Sequence, residues 1–489
     1  MKTNRRGFFK IAGVAGAGLI SGNLISCNTK SNQNELAGSP DSIQDAANNS
    51  HKQLFNMSGF SAPKIETVRV GFIGLGQRGP GAVERISNIE GVEIRGLCDE
   101  RMDRVEKAQK ILAAHGLPAA KAYGGSKEAW KEMCMSDDLD LIYICTPWQL
   151  HTPMAVFAME NGKHAASEVP AATTVDEAWQ LVETSEKTKK HCMMLENCCY
   201  DFFELLTLNM VRQGFFGEIL HGEGAYIHDL RQLNFDKNGY TDMWRLKHNQ
   251  TRNGDLYPTH GLGPVCQAMN INRGDRMDYL TSMSTNDFHM AAMAAELAKT
   301  DEFYKQFVTN GYRGNMNTTT VRTAKGKTIM IQHDVTSPNP YSRIHLLSGT
   351  KGSCRKYPEP SRIAAGHEWF NEAEMKELEE KYTPEIIKRL GEMAKKIGGH
   401  GGMDFMMDWR LIDCLRNGLP LDQDVYDAAL WSSIAPLSEW SVANRSNSIS
   451  VPDFTCGSFQ TNAQVDISLL KGGNTGVRTP KPGEKQLSV

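Results

Sequence analysis

Short apolar runs alternate with amphipathic stretches from residue 68 to about residue 196. The runs occupy 68–73, 92–98, 139–145, 164–167 and 192–195, and helix-period stretches at 100–115 and 176–189 lie between them. Strands that alternate with helices predict a parallel, doubly wound sheet. Such a sheet binds ligands beyond the carboxyl ends of its strands. Asp99, Thr146-Pro147, Glu168 and Asn197 all follow a run directly, and they form one polar set at those ends.

After Asn197 the pattern changes. A helix is expected at 202–212, and strands at 219–227, 277–283, 318–324, 328–333 and 344–348. Strands grouped without regular helices predict an open, mainly antiparallel sheet in an α/β domain. Helices are expected at 372–396, 404–417 and 425–444, and these late helices have the option of packing back on the first unit. The division is then a Rossmann domain at 65–197, a substrate-binding α/β domain at 198–455 and a C-terminal arm at 456–489.

The N-terminus reads as a processing segment. Asn4-Arg5-Arg6-Gly7-Phe8-Phe9-Lys10 matches a twin-arginine export signal. After it, Leu24-Ile25-Ser26-Cys27 resembles a lipobox in which Cys27 is acylated. Residues 1–27 are thus expected to be a signal, and 28–64, rich in Ser, Asn, Gln and Ala, a flexible tether. The expected location is the periplasm or cell envelope, with membrane contact only through a lipid anchor.

Composition narrows the chemistry. The chain of 489 residues has a formal net charge of −3 and a pI near 6.5, which gives no basic field for nucleic acid. Of its 11 cysteines, Cys98, Cys145 and Cys192 fall in apolar runs as buried thiols. No Cys-x-x-Cys pair or His-Glu-x-x-His motif occurs, so no metal site is expected. The adjacent Cys198-Cys199 makes a poor disulfide.

Gly74-Leu75-Gly76-Gln77-Arg78-Gly79 follows the first run directly. Gly74 permits the tight turn, Gly76 lets the backbone approach a pyrophosphate, and Gly79 allows close helix packing. Asp99 lies about 20 residues past Gly79, where a carboxylate accepts from a ribose 2′-hydroxyl and repels a 2′-phosphate. NAD is therefore favoured over NADP. Thr146-Pro147-Trp148-Gln149-Leu150-His151 falls where the nicotinamide half should run.

These motifs, with Glu168-Val169-Pro170, resemble the glucose–fructose oxidoreductase / inositol dehydrogenase superfamily, whose members join a Rossmann domain to an open-sheet sugar domain. Many have Lys where this chain has Val169, and Val169 cannot move a proton. Trp244-Arg245, the block Gly254-Asp255-Leu256-Tyr257-Pro258-Thr259-His260-Gly261-Leu262-Gly263-Pro264, and Gly399-His400-Gly401-Gly402-Met403-Asp404 are similar to the NAD-dependent α-N-acetylgalactosaminidases of glycoside hydrolase family 109. The Tyr257 block carries most weight, because its composition serves no evident packing need.

The resemblance implies that Gln77, Arg78, Asp99, Trp148, His151, Glu168, Val169 and Asn197 contact NAD. It implies that Tyr226, Arg245, Tyr257, Pro258, Thr259, His260 and Tyr341 contact sugar. His260 is the expected acid/base, with Tyr200 or Tyr257 at the C2 proton. His221 and His228-Asp229 are expected to satisfy local hydrogen bonds, and the glycines around His400 suit either a sugar-facing loop or a helix cap.

The activity so implied is a retaining exo-glycosidase for terminal α-linked N-acetylgalactosamine, with NAD tightly bound and regenerated each turnover. Two other readings stand beside it. One is a periplasmic sugar oxidoreductase, and the other a non-catalytic glycan-binding lipoprotein. A homodimer is a further expectation, because an open sheet needs cover.

Overall fold

The computed structural model describes residues 40–478. Strands β1 (Val68–Ile73), β2 (Val92–Asp99), β3 (Lys121–Gly124), β4 (Leu141–Ile144), β5 (His164–Ser167) and β6 (Cys192–Met194) form one sheet in the order β3-β2-β1-β4-β5-β6. Every pair in it is parallel. β4 and β5 are buried at every position, so β4 reads as an unbroken apolar run and β5 as small residues after His164. Helix Gly79–Ser87 leads from β1 and helix Val175–Thr188 from β5. The strand order reverses between β1 and β4, and this opens a crevice at their carboxyl ends.

The second sheet holds β7 (Ile219–Ile227), β8 (Met277–Ser284), β9 (Asn317–Thr323), β10 (Thr328–Asp334), β11 (Leu346–Gly349), β12 (Ser353–Arg355), β13 (Arg362–Ala364) and β14 (Ile449–Ser450). Its order is β13-β12-β11-β7-β10-β9-β8-β14. β7 pairs with β10 in parallel, and the other neighbours are antiparallel. The expected doubly wound sheet followed by an open, mainly antiparallel one is the observed architecture.

The first turn of helix Thr259–Met269 lies on β7 with almost nothing between them. A Cβ on Gly224 would stand 2.4 Å from the Gly261 carbonyl oxygen, and one on Gly261 would stand 2.2 Å from the Ala225 nitrogen. Packing therefore does explain the composition of the Tyr257 block, contrary to the expectation. Gly261 lets backbone meet backbone, Gly263 makes room for the Cys199, Glu196 and Trp431 side chains, and Pro264 is accommodated inside the helix.

The late helices do return to the first unit. Helix Met403–Asn417 is tied to helix Gly79–Ser87 by Arg85 Nε donating to Asp408 at 2.7 Å, and to β4 by the Tyr143 hydroxyl donating to Asp408 at 2.8 Å. Helix Val425–Ala443 packs on helix Val175–Thr188 and on β8. The helix expected at 372–396 is instead two, Glu372–Tyr382 and Glu385–Ile397. Pro384 disfavours a helical Thr383 before it and starts the second helix.

Residues 40–64 are docked, not a tether. Helix Pro40–Asn48 buries Ala46 and Ala47 against Val425–Ala443. Gln53 Nε2 donates to the Tyr426 hydroxyl, and the Leu54 and Phe55 amides donate to the Glu186 carboxylate. A stretch poor in aliphatics is held here by backbone and amide hydrogen bonds. The arm is docked likewise to residue 478: Asp413 accepts from Gly473 and Thr475, and Arg478 donates to the Ser87 carbonyl. The signal, Cys27, residues 28–39 and residues 479–489 lie outside the described residues. Among the described residues no helix is long and apolar enough to cross a membrane.

Replacing Gly261 by Ala should force this helix off the sheet, lowering the unfolding free energy by about 1–3 kcal/mol. A denaturant titration checks this, since an unchanged midpoint would mean that the contact yields freely.

Candidate active site

Gly74, at φ +87°, sits where a Cβ would be 2.7 Å from the Cys145 carbonyl oxygen, and a Cβ on Gly79 would be 2.1 Å from the Gly74 oxygen. Both positions require glycine. A Cβ on Gly76 would meet only the Arg104 guanidinium, at 3.4 Å, so this backbone stays open on the crevice side. Helix Gly79–Ser87 starts at Arg78 without a side-chain cap. Its first N–H groups and the positive end of its dipole suit a pyrophosphate.

Asp99, at the end of β2, accepts from the Leu75 amide at 2.8 Å and from the Arg101 amide at 2.9 Å. A carboxylate has about four lone-pair sites, so acceptor capacity remains for a ribose hydroxyl. Arg104, 3.5 Å from Asp99, also donates to the Thr241 hydroxyl at 2.8 Å and so joins the two domains at the crevice edge. A dinucleotide fits this cradle, the uncapped helix start and the acid at the end of β2.

Trp148 is buried and stacks on Tyr257 with ring centres 5.7 Å apart. His151 has a different role from the one expected. Its ring nitrogens lie 2.7 Å from the Pro170 and Thr146 carbonyls, so it fixes the ends of β4 and β5 relative to each other, and its polar atoms do not face a nucleotide. Val169 is buried.

The other wall of the crevice is a charge network. Arg78 contacts Glu168 at 3.3 Å and Asp404 at 3.4 Å, Asn197 donates its amide to Asp404, and His400 Nδ1 lies 2.9 Å from Asp404. Burial pushes the Asp404 carboxyl up, but Arg85, His400 and Arg78 outweigh it and hold the carboxyl well below the ordinary range. The glycine turn around His400 thus presents the start of helix Met403–Asn417 to the Rossmann loop.

Where the crevice meets the second sheet, aromatic rings gather. Tyr226, on β7, lies 4.7 Å from Tyr257, 5.4 Å from His260 and 6.2 Å from Tyr341, centre to centre. The Arg245 guanidinium stands 4.9 Å from the Tyr257 ring and 5.3 Å from that of Trp148, and it donates to the Tyr240 hydroxyl at 2.7 Å. Its Nη2 is buried without a protein partner. Pro258 precedes helix Thr259–Met269, Thr259 is buried in its first turn, and His260 stays partly open beside it. Behind them Asp255 accepts from the Tyr257 amide, and burial pushes its carboxyl up to about 7.

His260 Nδ1 lies 2.7 Å from Glu196 Oε1. Glu196, just past β6, is fully buried. Its Oε1 also accepts from the Cys198 amide at 3.0 Å, while Oε2 has no partner. Burial pushes this carboxyl up, yet the His260 charge and hydrogen bond bring it below its ordinary value. The sequence reading did not single out Glu196, although it stands at a strand end like the polar residues that were chosen.

Tyr200 is not part of the group. Its hydroxyl donates to Asp422 at 3.2 Å, and burial followed by the Asp422 charge pushes its phenol well above the ordinary value. It is unsuited to taking a proton from C2. Asp229 pairs with Arg231, and His221 contacts Thr328 Oγ1 at 2.8 Å, so these residues do serve local bonds. Cys98, Cys145, Cys192, Cys198 and Cys199 are free thiols.

Two family models match the chain. "Glycosyl hydrolase 109, C-terminal domain" covers residues 200–461, and "Oxidoreductase family, NAD-binding Rossmann fold" covers 68–196. A glycosyl hydrolase family 109 protein of Porphyromonas gingivalis is 52% identical over 413 residues, 81% of this chain and 86% of its own length. Another, from Shewanella pealeana, is 46% identical over 474 residues, covering 96% and 99%. Among solved structures, a levoglucosan dehydrogenase in complex with NADH and levoglucosan has a TM-score of 0.59 at 15% identity, covering 79% of this chain and 100% of its own. The apo scyllo-inositol dehydrogenase of Lactobacillus casei has a TM-score of 0.56 at 12% identity, covering 79% and 99%. These two share the fold.

The Asp404 network gives a pH-dependent prediction. The folded-state value is depressed, so the stability Asp404 confers is complete above its unfolded value of about 4 and is lost as pH falls below it. Asp404→Asn should destabilise the protein by about 3 kcal/mol at neutral pH, because Arg85 and Arg78 lose a buried partner. Thermal melts of both proteins should converge as pH drops below about 4; a gap independent of pH would refute the assignment.

Proposed function

The chain belongs to glycosyl hydrolase family 109, and from that premise we propose that it is a retaining exo-glycosidase for terminal α-linked N-acetylgalactosamine, with NAD as a tightly held group. The observation that carries this reading is the carboxylate-paired His260 at the junction of the nucleotide crevice and the aromatic pocket. Ordinary retaining glycosidases flank the scissile bond with two carboxyls about 5 Å apart, and NAD-dependent families are an exception. Here the groups turned to the sugar pocket are a histidine, tyrosines and an arginine.

The residues fit NAD, which Gly74, Gly76, Gln77, Arg78, Gly79, Asp99 and Trp148 would hold. When bound, it supplies a hydride acceptor at C3 of the sugar and the same hydride for the return. Glu196 fixes the Nδ1–H tautomer of His260 and leaves Nε2 as the acceptor for the C3 hydroxyl proton. A carbonyl at C3 acidifies the C2 proton, so a base of neutral range removes it and the C1 substituent departs by elimination. The unpartnered Arg245 Nη2 is a donor for the negative charge that develops on the sugar oxygen. Burial, opposed by Arg245, pushes the Tyr257 phenol well above its ordinary value. Tyr257 then serves as a neutral proton donor better than as the C2 base first expected of it. With a bound nucleotide that takes up and returns one hydride, addition of water to the enone would leave the sugar with no net oxidation.

This redox balance suits an exported protein. The twin-arginine signal and lipobox read from residues 1–27 make it an envelope lipoprotein that folds around its nucleotide before transport and needs no external pool.

Three results test the reading. The purified protein should release p-nitrophenol from its α-N-acetylgalactosaminide without added NAD, and His260→Ala should abolish this. In deuterium oxide the released sugar should carry deuterium at C2. Net oxidised sugar without glycoside cleavage would support the oxidoreductase reading instead. Glu196→Gln should retain the fold and bound nucleotide while lowering kcat by about 10²-fold; unchanged kcat would remove Glu196 from the mechanism.

A further inference from the structure

Glu196 and Cys198 follow β6, and His260 comes from the first turn of helix Thr259–Met269, yet one ligand atom of each lies within 4.8 Å of the other two. We propose that these three side chains form a binding site for a thiophilic divalent cation, Zn2+ above all, and that its occupancy silences His260.

The donor set selects the ion. One thiolate, one imidazole and one carboxylate oxygen match zinc, which takes four ligands at about 2.0–2.3 Å. Hard cations such as Mg2+ and Ca2+ prefer many oxygens, and this set offers one carboxylate. Modest side-chain rotation would widen the 2.7 Å contact between His260 and Glu196 and draw the Cys198 sulfur in, toward the roughly 3.5 Å between ligand atoms that such bond lengths require. Within the same group Glu196 Oε2 is buried and makes neither of the short hydrogen bonds that hold Oε1. Glu196 and Cys198 are buried and His260 is partly open. The fourth coordination position therefore faces the sugar pocket, where a water or a substrate hydroxyl completes it.

Binding breaks the Cys198 S–H bond, its proton leaves to solvent, and the sulfur pair forms the metal bond. The cation also replaces the proton between His260 Nδ1 and Glu196. With metal on Nδ1, the neutral ring carries its proton on Nε2, so the face that should accept from the sugar only donates. Occupancy is thus incompatible with the His260 role assigned above, and the inhibitory effect rests on that reading.

The experiment uses the nucleotide-containing protein and Cys198→Ser, titrated with ZnCl2 and with CoCl2. Zinc should abolish wild-type glycosidase activity in a way that EDTA reverses. Cys198→Ser should keep its metal-free activity and need at least about tenfold more zinc for half inhibition. Cobalt should give wild-type protein a thiolate-to-metal charge-transfer band that the variant lacks. Equal zinc sensitivity in the two proteins, or an identical cobalt spectrum, overturns the site. The cobalt band is read without any sugar, so it decides the metal site even if the glycosidase reading fails.

Discussion

The contact between helix Thr259–Met269 and β7 is the constraint on which the site depends. At Gly224 and Gly261 the helix backbone rests on the strand backbone, while further along Val265 and Met269 of the helix pack over Gly222. The first turn of that helix carries His260, and its depth on the sheet brings the imidazole to Glu196 at the end of the other domain's β6. Tyr226, on the same strand, and Tyr257, just before the same helix, gain their places from the same contact. A wider helix–sheet spacing would leave each residue present and the constellation absent.

A second constraint is electrostatic. The Rossmann loop places Arg78 at a crevice that already holds Glu168, and the late helix returns Asp404 to it along with Arg85 and His400. Buried charges of this kind are tolerable only when paired. The pairing joins chain segments more than 300 residues apart, so the nucleotide crevice is complete only when the last helices have docked. One set of charges therefore ties the late helix to the Rossmann unit.

The sequence made the sheets legible because buried strands carry continuous apolar runs and their ends carry polar residues. β3 escaped because Lys121 and Ala122 are exposed at the sheet edge and show no alternation. Helix Thr259–Met269 was hidden by two glycines and a proline, residues that ordinarily break helices but here permit a close contact. Glu196 was overlooked and Tyr200 overvalued for one reason: the bonds to His260 and Asp422 join distant segments that no local spacing encodes. The same holds for His151, whose two carbonyl partners follow different strands. The docking of residues 40–64 depends on partners such as Tyr426 and Glu186, which composition does not announce.

The bond from Arg104 to Thr241 bridges the Rossmann half and the second domain beside Gly76 and Asp99. A ligand lodged between two halves joined in this way escapes when they part, so its residence time follows the opening of the protein more than the strength of any one contact. Were the nucleotide never resupplied, that residence time would set a lifespan. The productive output of each molecule is the number of substrate molecules it converts before its first and final loss.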